Sequence, residues 1–167
     1  FDRDSHFGTD ETIAQIRHAG ARLLAAYPGT EPMLVGDISQ AGGGRIRPHR
    51  SHQTGRDADI AFFEKGNRAR GHFKSDLAPT DVDIEKSWFL IETFLTTGRV
   101  QFVFINNSLL PALRAHAAKS GWSEEDLQRL FLMKGDKKGH QTLRHAAGHT
   151  YHFHIRFRCP ESDEGCE

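Results

Sequence analysis

Apolar and polar positions alternate strictly in segment 151–157, close to the C-terminus. Successive side chains of a β-strand point to opposite faces of the sheet, so this alternation predicts a strand with one apolar and one polar face. The apolar face, which suits a hydrophobic core, consists of Tyr151, Phe153, Ile155 and Phe157. The opposite face carries His152, His154 and Arg156. Two neighbouring imidazoles on one strand face make this segment a candidate site.

Helical and strand patterns also occur along the rest of the chain, but they do not alternate regularly. Apolar spacing and end signals predict four helices, over residues 9–27, from 80 or 81 to 98, from 108 to about 119, and from 123 to about 133. Short apolar runs predict strands at 33–38, 57–63 and 100–105. This order favours an α+β fold, in which a small, mainly antiparallel sheet is flanked by helices.

The predicted elements have recognisable ends and faces. The hydroxyl oxygen of Thr9, Ser108 or Ser123 is expected to cap the helix that follows it. The predicted inner face of the first helix consists of Ile13, Ile16, Leu23, Leu24 and Tyr27. Polar, glycine-containing loops are predicted at 40–56, 64–79 and 134–149. A loop as long as 40–56 inside a compact domain usually has a function.

The composition limits the class of protein. The chain has 167 residues, of which 37% are hydrophobic and 26% charged, and this predicts one globular domain over residues 1–167. Lys+Arg and Asp+Glu are equal at 22 each, which gives no electrostatic basis for binding nucleic acid or an anionic membrane. No apolar run approaches the roughly 20 residues of a membrane span. The oligomeric state stays open.

Both cysteines, Cys159 and Cys166, lie near the C-terminus. Their even number and close spacing predict a disulfide, and disulfides persist in oxidising compartments. The chain begins at Phe1 rather than at a methionine. We therefore expect the mature form of a periplasmic or secreted protein from which a signal peptide has been removed.

A second candidate segment lies upstream, where His52 and Asp59 are seven positions apart. This odd offset excludes one face of a continuous strand. Gly55 allows a turn, so His52 is expected on the loop and Asp59 on the strand. Asp59 is flanked by apolar residues and is the predicted buried carboxylate, a group that needs a charged partner or a metal. Asp57 is expected to anchor the loop or to support a ligand.

One imidazole from each segment and one carboxylate form the ligand set of a catalytic zinc with an open coordination position. The residues alone leave two alternatives for the pair on the strand. Either His152 and His154 both bind the metal, or one binds it and the other acts on the water or the substrate. His49 and His149 each precede a candidate histidine by three residues, and both are expected at the cleft.

Segments 51–60 (SHQTGRDADI) and 151–160 (YHFHIRFRCP) closely resemble the penicillin-insensitive murein endopeptidases, which belong to the LAS group of zinc peptidases. The pattern of that group, Ser-His-x-x-Gly-x-x-x-Asp followed by His-x-His, is satisfied at every position. Segment 34–37 (LVGD), the Gly-rich loop and His49 are also similar to the family, and the resemblance runs from about residue 9 to 166. It implies the LAS, or hedgehog-like, peptidase core with the zinc site on the sheet.

The resemblance also implies roles for single residues. In the family, zinc is bound by the His and Asp of the first motif and by the second His of His-x-His, which correspond here to His52, Asp59 and His154. The first His of the pair, His152, is then the expected catalytic base, and His149 is a further catalytic candidate. The family disulfide that begins just after this strand corresponds to Cys159 and Cys166.

The function implied by the resemblance is that of a zinc D,D-endopeptidase. Such an enzyme hydrolyses D-Ala–diamino acid cross-links of peptidoglycan with water activated by zinc. His49, Arg45 and Arg47 are candidates for substrate binding. Arg45, Arg47 or Arg56 could bind the free carboxylates of the substrate, although each arginine taken singly is more simply explained as a solvated loop charge. Two other functions stay open: a D,D- or L,D-carboxypeptidase or dipeptidase of the same group, and a non-catalytic zinc-containing module that binds the cell wall.

Overall fold

A computed structural model describes residues 4–67, 73, 77–137 and 139–159. Within these ranges the α-helices are α1 Asp10–Ala26, α2 Ile84–Leu95, α3 Leu110–Lys119 and α4 Glu124–Leu130. The strands are β1 Asp57–Ala61, β2 Val100–Ile105, β3 Leu143–His145 and β4 His152–Phe157. A short 3-10 helix occupies Pro79–Asp81. None of the described helices is both long and apolar enough to cross a membrane.

The four strands form one sheet in the order β1-β4-β2-β3. β4 pairs antiparallel with β1 on one side and with β2 on the other, whereas β3 pairs parallel with β2. The sheet is therefore mixed and mostly antiparallel, which confirms the predicted α+β class. The histidine-bearing strand β4 lies between β1 and β2, so residues of both neighbours lie beside its histidines.

One face of β4 is part of the hydrophobic core. Phe153 and Ile155 are fully buried, and Phe157 is 2% exposed. Phe94 of α2 packs with its ring centroid 6.4 Å from that of Phe153 and 5.9 Å from that of Phe157. Burial of one such side chain contributes about 1.5–3 kcal/mol. The predicted apolar face thus holds α2 against the sheet, and the opposite face is available for polar residues.

The helix ends agree only in part with the sequence. Thr9 Oγ1 accepts a hydrogen bond from Thr12 N at 3.2 Å, and Ser123 Oγ accepts one from Asp126 N at 3.1 Å, so both predicted caps are confirmed. Ser108 is not a cap, since α3 begins two residues later with Leu109 in the N-cap position. The side chain of Asn106 accepts the hydrogen bond of the Ser108 amide and forms this turn instead.

Two assignments near the helices were wrong. Leu24 is 56% exposed. The face of α1 that packs against the core contains Ala19 and Leu23, and Leu24 lies outside this face. The second helix begins at Ile84 rather than at 80 or 81, since residues 79–81 form the 3-10 helix. Asp83 caps α2 by accepting a hydrogen bond from Lys86 N at 3.0 Å.

Two loop-and-strand predictions also differ from the structure. Segment 33–38 makes only an isolated bridge between Val35 and Ile60, although Gly36 N donates to Asp59 O at 2.7 Å. Strand β3 lies within the stretch 134–149, which was predicted to be a loop. The stretch 40–56 contains neither helix nor strand, as predicted. The predicted loop 64–79 lies partly outside the described residues, and one domain over 1–167 stays a prediction.

Candidate metal centre

The polar face of β4 and the end of loop 40–56 bring the predicted motif residues together. Antiparallel pairing of β1 with β4 places Asp59 directly opposite His154 and Ala61 opposite His152. His52 reaches the same place from the loop, and its side chain is fully buried. The two sequence motifs, which are about a hundred residues apart, therefore meet on one sheet face.

His52 has a left-handed backbone conformation, with φ of 62°. This region is unfavourable for a residue with a Cβ atom, so surrounding contacts must hold it. His52 N donates to Asp57 Oδ2 at 3.3 Å, and His52 Nδ1 donates to the carbonyl of Ile38 at 2.9 Å. Gly55 has a positive φ of 73°, and a Cβ atom there would lie 3.0 Å from Thr9 N. The turn predicted at Gly55 is confirmed, and it returns the chain from His52 to β1.

Three donor atoms converge at the centre of this face. His52 Nε2 lies 3.0 Å from His154 Nδ1, and each of these nitrogens lies 3.2 Å from Asp59 Oδ1. Ligands of one tetrahedral zinc with bonds of about 2.0–2.2 Å are separated by about 3.3–3.6 Å, slightly more than the distances seen here. Asp59 Oδ1 is also buried, and within the part of the chain that the structure describes it accepts no hydrogen bond. The spacing and the unsatisfied oxygen fit a single metal ion bound by these atoms.

The outer nitrogens of both histidines determine which tautomer faces the centre. A carbonyl oxygen only accepts, so His52 Nδ1 carries a proton where it contacts Ile38, and Nε2 of neutral His52 keeps its lone pair. His154 Nε2 lies 2.7 Å from Asp57 Oδ1, which accepts in the same way. The inward nitrogens, His52 Nε2 and His154 Nδ1, are therefore the ones placed to bind a metal ion. This arrangement, with a carboxylate or carbonyl behind each imidazole, is usual for histidine ligands.

The buried charges of the site shift its pKa values strongly. Burial alone would raise the pKa of Asp57, but hydrogen bonds from His154 and Arg156 outweigh it and hold that pKa below its ordinary value. Contacts with His154 and His52 lower the pKa of buried Asp59 in the same way. Burial lowers the pKa of His154, yet Asp57 and Asp59 outweigh burial and raise it to about 9. The metal-free site therefore pairs two carboxylates with a protonated His154.

In the metal-free protein, we expect His154 to carry protons on both ring nitrogens at pH 7, since its pKa of about 9 lies above that pH. A metal ion must displace the Nδ1 proton, so metal affinity should fall as the pH drops below about 9. Nitrogen-15 NMR of the metal-free protein across this pH range measures the titration directly. The control Asp57→Asn removes one carboxylate partner and should lower the His154 pKa. A wild-type pKa at or below 6.5 would contradict the expectation.

His152 lies beside the three donors but makes different contacts. Its Nε2 is 3.7 Å from Asp59 Oδ1, and its Nδ1 is buried and has no hydrogen-bond partner among the described residues. Burial lowers the pKa of His152 to about 4, although Asp59 acts in the opposite direction. His152 is thus neutral at pH 7 and able to accept a proton. The ring of His149 lies 4.7 Å away, so His149 lies at the cleft, as expected.

His49 also contacts the centre, on the side of the loop. Its Nε2 lies 2.8 Å from Asp37 Oδ2, and its Nδ1 lies 3.9 Å from Asp59 Oδ2. Donor atoms of His49, His52 and Asp59 all lie within 4.8 Å of one another. The sequence hypothesis assigned His49 to substrate binding, whereas the structure places it with the candidate ligands. Both roles stay open for this residue.

All three predicted arginines lie on loop 40–56. Arg45 and Arg47 are exposed on loop 40–56, and Arg56 Nη1 donates to Gln101 Oε1 at 3.2 Å. Substrate binding by these residues stays a prediction. The predicted Cys159–Cys166 bridge also stays a prediction, because Cys166 lies outside the described residues.

Sequence reasoning missed two residues that position the site. Asp37 accepts hydrogen bonds from Ser5 Oγ and from the ring of His49, and Arg156 Nε donates to Asp57 Oδ1 at 2.7 Å. Asp37 ends the LVGD segment that resembles the family, which is the one signal that pointed to it. Arg156 shares the polar strand face with both histidines, so the alternation of β4 already indicated its orientation.

Comparison with known proteins identifies the family. Residues 1–167 match the family model described as penicillin-insensitive murein endopeptidase. Curated proteins of that name are similar to the chain along 99% of its length: the one from Haemophilus influenzae is 31% identical, the one from Klebsiella pneumoniae 28% and the one from Escherichia coli 25%. The chain covers 56–59% of the length of these relatives.

Proposed function

The chain belongs to the penicillin-insensitive murein endopeptidase family, and we propose that it is a zinc-dependent peptidase that hydrolyses D-Ala–diamino acid cross-links of peptidoglycan. The observation that carries this proposal is the triangle of His52 Nε2, Asp59 Oδ1 and His154 Nδ1, with sides of 3.0–3.2 Å. The names of the relatives support murein as the substrate class. A cell-wall substrate agrees with the expected periplasmic or secreted location.

His52, Asp59 and His154 are the proposed zinc ligands. Zinc supplies a Lewis acid for the scissile carbonyl and lowers the pKa of water, the two contributions that amide hydrolysis needs at neutral pH. The Ile38 carbonyl and the Asp57 carboxylate hold the two imidazoles in the required tautomer. Asp57 is held in turn by Arg156, so the ligand geometry is set by hydrogen bonds before any metal binds.

His152 is the proposed general base. It is neutral at pH 7, and its Nε2 lies within 4 Å of Asp59, next to the donor triangle rather than inside it. From this position it accepts a proton from the attacking water and returns one to the leaving amine. His149 packs against its ring and is the proposed second catalytic histidine.

A second candidate function is a zinc-containing cell-wall module that does not cut its ligand. The contact between His49 Nδ1 and Asp59 Oδ2, at 3.9 Å, favours this alternative, because His49 as a fourth ligand would close the coordination sphere. His49 Nε2 is already engaged by Asp37, so its other nitrogen is the one directed to the site. Catalytic turnover distinguishes the two functions.

Chelation is expected to abolish cleavage of purified peptidoglycan, and added zinc is expected to restore it. The protein is incubated with cross-linked peptidoglycan, with chelator, and with chelator followed by excess zinc, and the released fragments are identified by mass. Loss of cross-linked dimers with gain of the matching monomers supports the endopeptidase. Release of single D-Ala residues alone would indicate a carboxypeptidase. Zinc-loaded protein that binds peptidoglycan without changing it would indicate the non-catalytic module.

A further inference from the structure

The metal centre is one end of a longer row of residues across the sheet. Pairing places Asp59 opposite His154, His154 opposite Phe104, and Phe104 opposite Arg144. Paired residues of neighbouring strands project to the same face of a sheet. Arg144 on β3 therefore lies on the same face as the centre, two strands from His154. With strands about 4.8 Å apart, this distance is about 10 Å.

Two phenylalanines of β2 connect the metal centre to Arg144. The Phe104 ring lies 5.4 Å from the His154 ring and 5.9 Å from the Phe102 ring. The guanidinium carbon of Arg144 lies 3.9 Å from the centroid of Phe102. Both rings are only half-buried, although they lie beside a polar site. They form an apolar floor, the Phe102–Phe104 platform, between the zinc ligands and a cation.

Arg144 is held in place but has no anionic partner among the described residues. Its Nε donates to the Gln141 carbonyl at 3.1 Å, and Nη2 donates to the same oxygen. Stacking on Phe102 and these two hydrogen bonds fix the plane of the guanidinium and leave Nη1 for another acceptor. Partial burial also lowers the pKa of Arg144, which reflects lost hydration that an anion would replace. Arg156, by contrast, is already paired with Asp57.

We propose that Arg144 is a specificity-determining residue that binds a free carboxylate of the murein peptide, while the Phe102–Phe104 platform supports the chain leading from the scissile bond. The proposal rests on the proposed function. A guanidinium held in one plane matches a carboxylate in geometry and charge. An extended peptide covers about 3.3 Å per residue, so a carboxylate two or three residues from the bond at the metal centre reaches Arg144.

The test compares two substrates with three proteins. One substrate is a cross-linked murein peptide with free carboxylates, and the other is the same peptide with these carboxylates amidated. The proteins are wild type, Arg144→Gln, and the control Arg129→Gln, which changes an exposed arginine paired with Glu125 on α4. Wild type and control should prefer the free peptide by roughly 10- to 100-fold in kcat/KM, the range for a hydrogen bond between charged groups. Arg144→Gln should cleave both peptides at the slow rate of the amidated one.

The pattern across substrates separates recognition from a purely structural role. If Arg144 only holds β3 in place, the Arg144→Gln variant slows on both peptides and keeps the wild-type preference, which overturns the inference. Arg144→Lys keeps the positive charge and should retain part of the preference for the free peptide. This variant replaces Arg144→Gln in the test if the glutamine variant fails to fold. Wild type that cleaves both peptides equally also overturns the inference and leaves the proposed function intact. Zinc-loaded wild type that cleaves neither peptide refutes both proposals.

Discussion

Alanine at position 52, 59 or 154 is expected to leave the purified protein without stoichiometric zinc and to reduce cross-link cleavage to background. His52, Asp59 and His154 supply three donors at mutual distances of 3.0–3.2 Å, and an open catalytic site has no spare protein ligand. Elemental analysis of the variants measures occupancy, and fragment release from peptidoglycan measures activity.

Two further variants calibrate this result. His18→Ala removes an exposed histidine of α1 and should change neither zinc content nor activity. Asp57→Asn keeps all three donors but weakens the hydrogen bond behind His154, and it should lower metal affinity by roughly 10- to 100-fold. Full zinc occupancy in any alanine variant would remove that residue from the ligand set. If His52→Ala stays loaded, His49 becomes the replacement to examine.

The His152→Ala variant is expected to keep zinc near wild-type occupancy and to lose cleavage by roughly 10²-fold or more, the usual contribution of a general base. His152 Nε2 lies 3.7 Å from Asp59 Oδ1, outside the tight triangle, and its pKa of about 4 keeps it neutral at working pH. Zinc content and kcat, measured on the same preparation, separate this loss from loss of the metal.

The paired His154→Ala variant should lose both properties, which makes it the matched comparison on the same strand face. Zinc lost from the His152 variant and retained in the His154 variant would exchange the two roles. Unchanged turnover in His152→Ala would leave the mechanism without its base. Attention would then move to His149, whose ring lies 4.7 Å from that of His152.

The features that could be predicted from the sequence were those with a local period or a local end signal. Alternation in 151–157 predicted both the core face and the histidine face of β4, and burial of Phe153 and Ile155 confirms the former. The strand at 100–105 and the caps at Thr9 and Ser123 were also predicted correctly. Once a segment is known to be a strand or a helix end, the direction of each imidazole or hydroxyl along it is fixed by its place in the sequence.

Contacts between distant segments could not be predicted in this way. β3 has only three residues, which is too short to show a periodic pattern in the sequence. Its place next to β2 depends on pairing between distant segments, so the row of residues that ends in Arg144 could not be predicted. The approach of His49 to Asp37 depends on how loop 40–56 folds back on segment 33–38, which forms only an isolated bridge. The orientation of His49 toward Asp59 follows from that tertiary contact.

At position 52 the proposed chemistry and the backbone conformation favour different residues. The chemistry needs an imidazole, whereas the left-handed backbone favours glycine. A residue with a Cβ atom loses about 1–2 kcal/mol in that conformation, whereas glycine adopts it freely. The position that gives the candidate centre its loop imidazole is therefore one where backbone conformation alone favours glycine. A search for stability alone would favour glycine at position 52 on backbone grounds, and such a variant would lack the imidazole at the candidate centre.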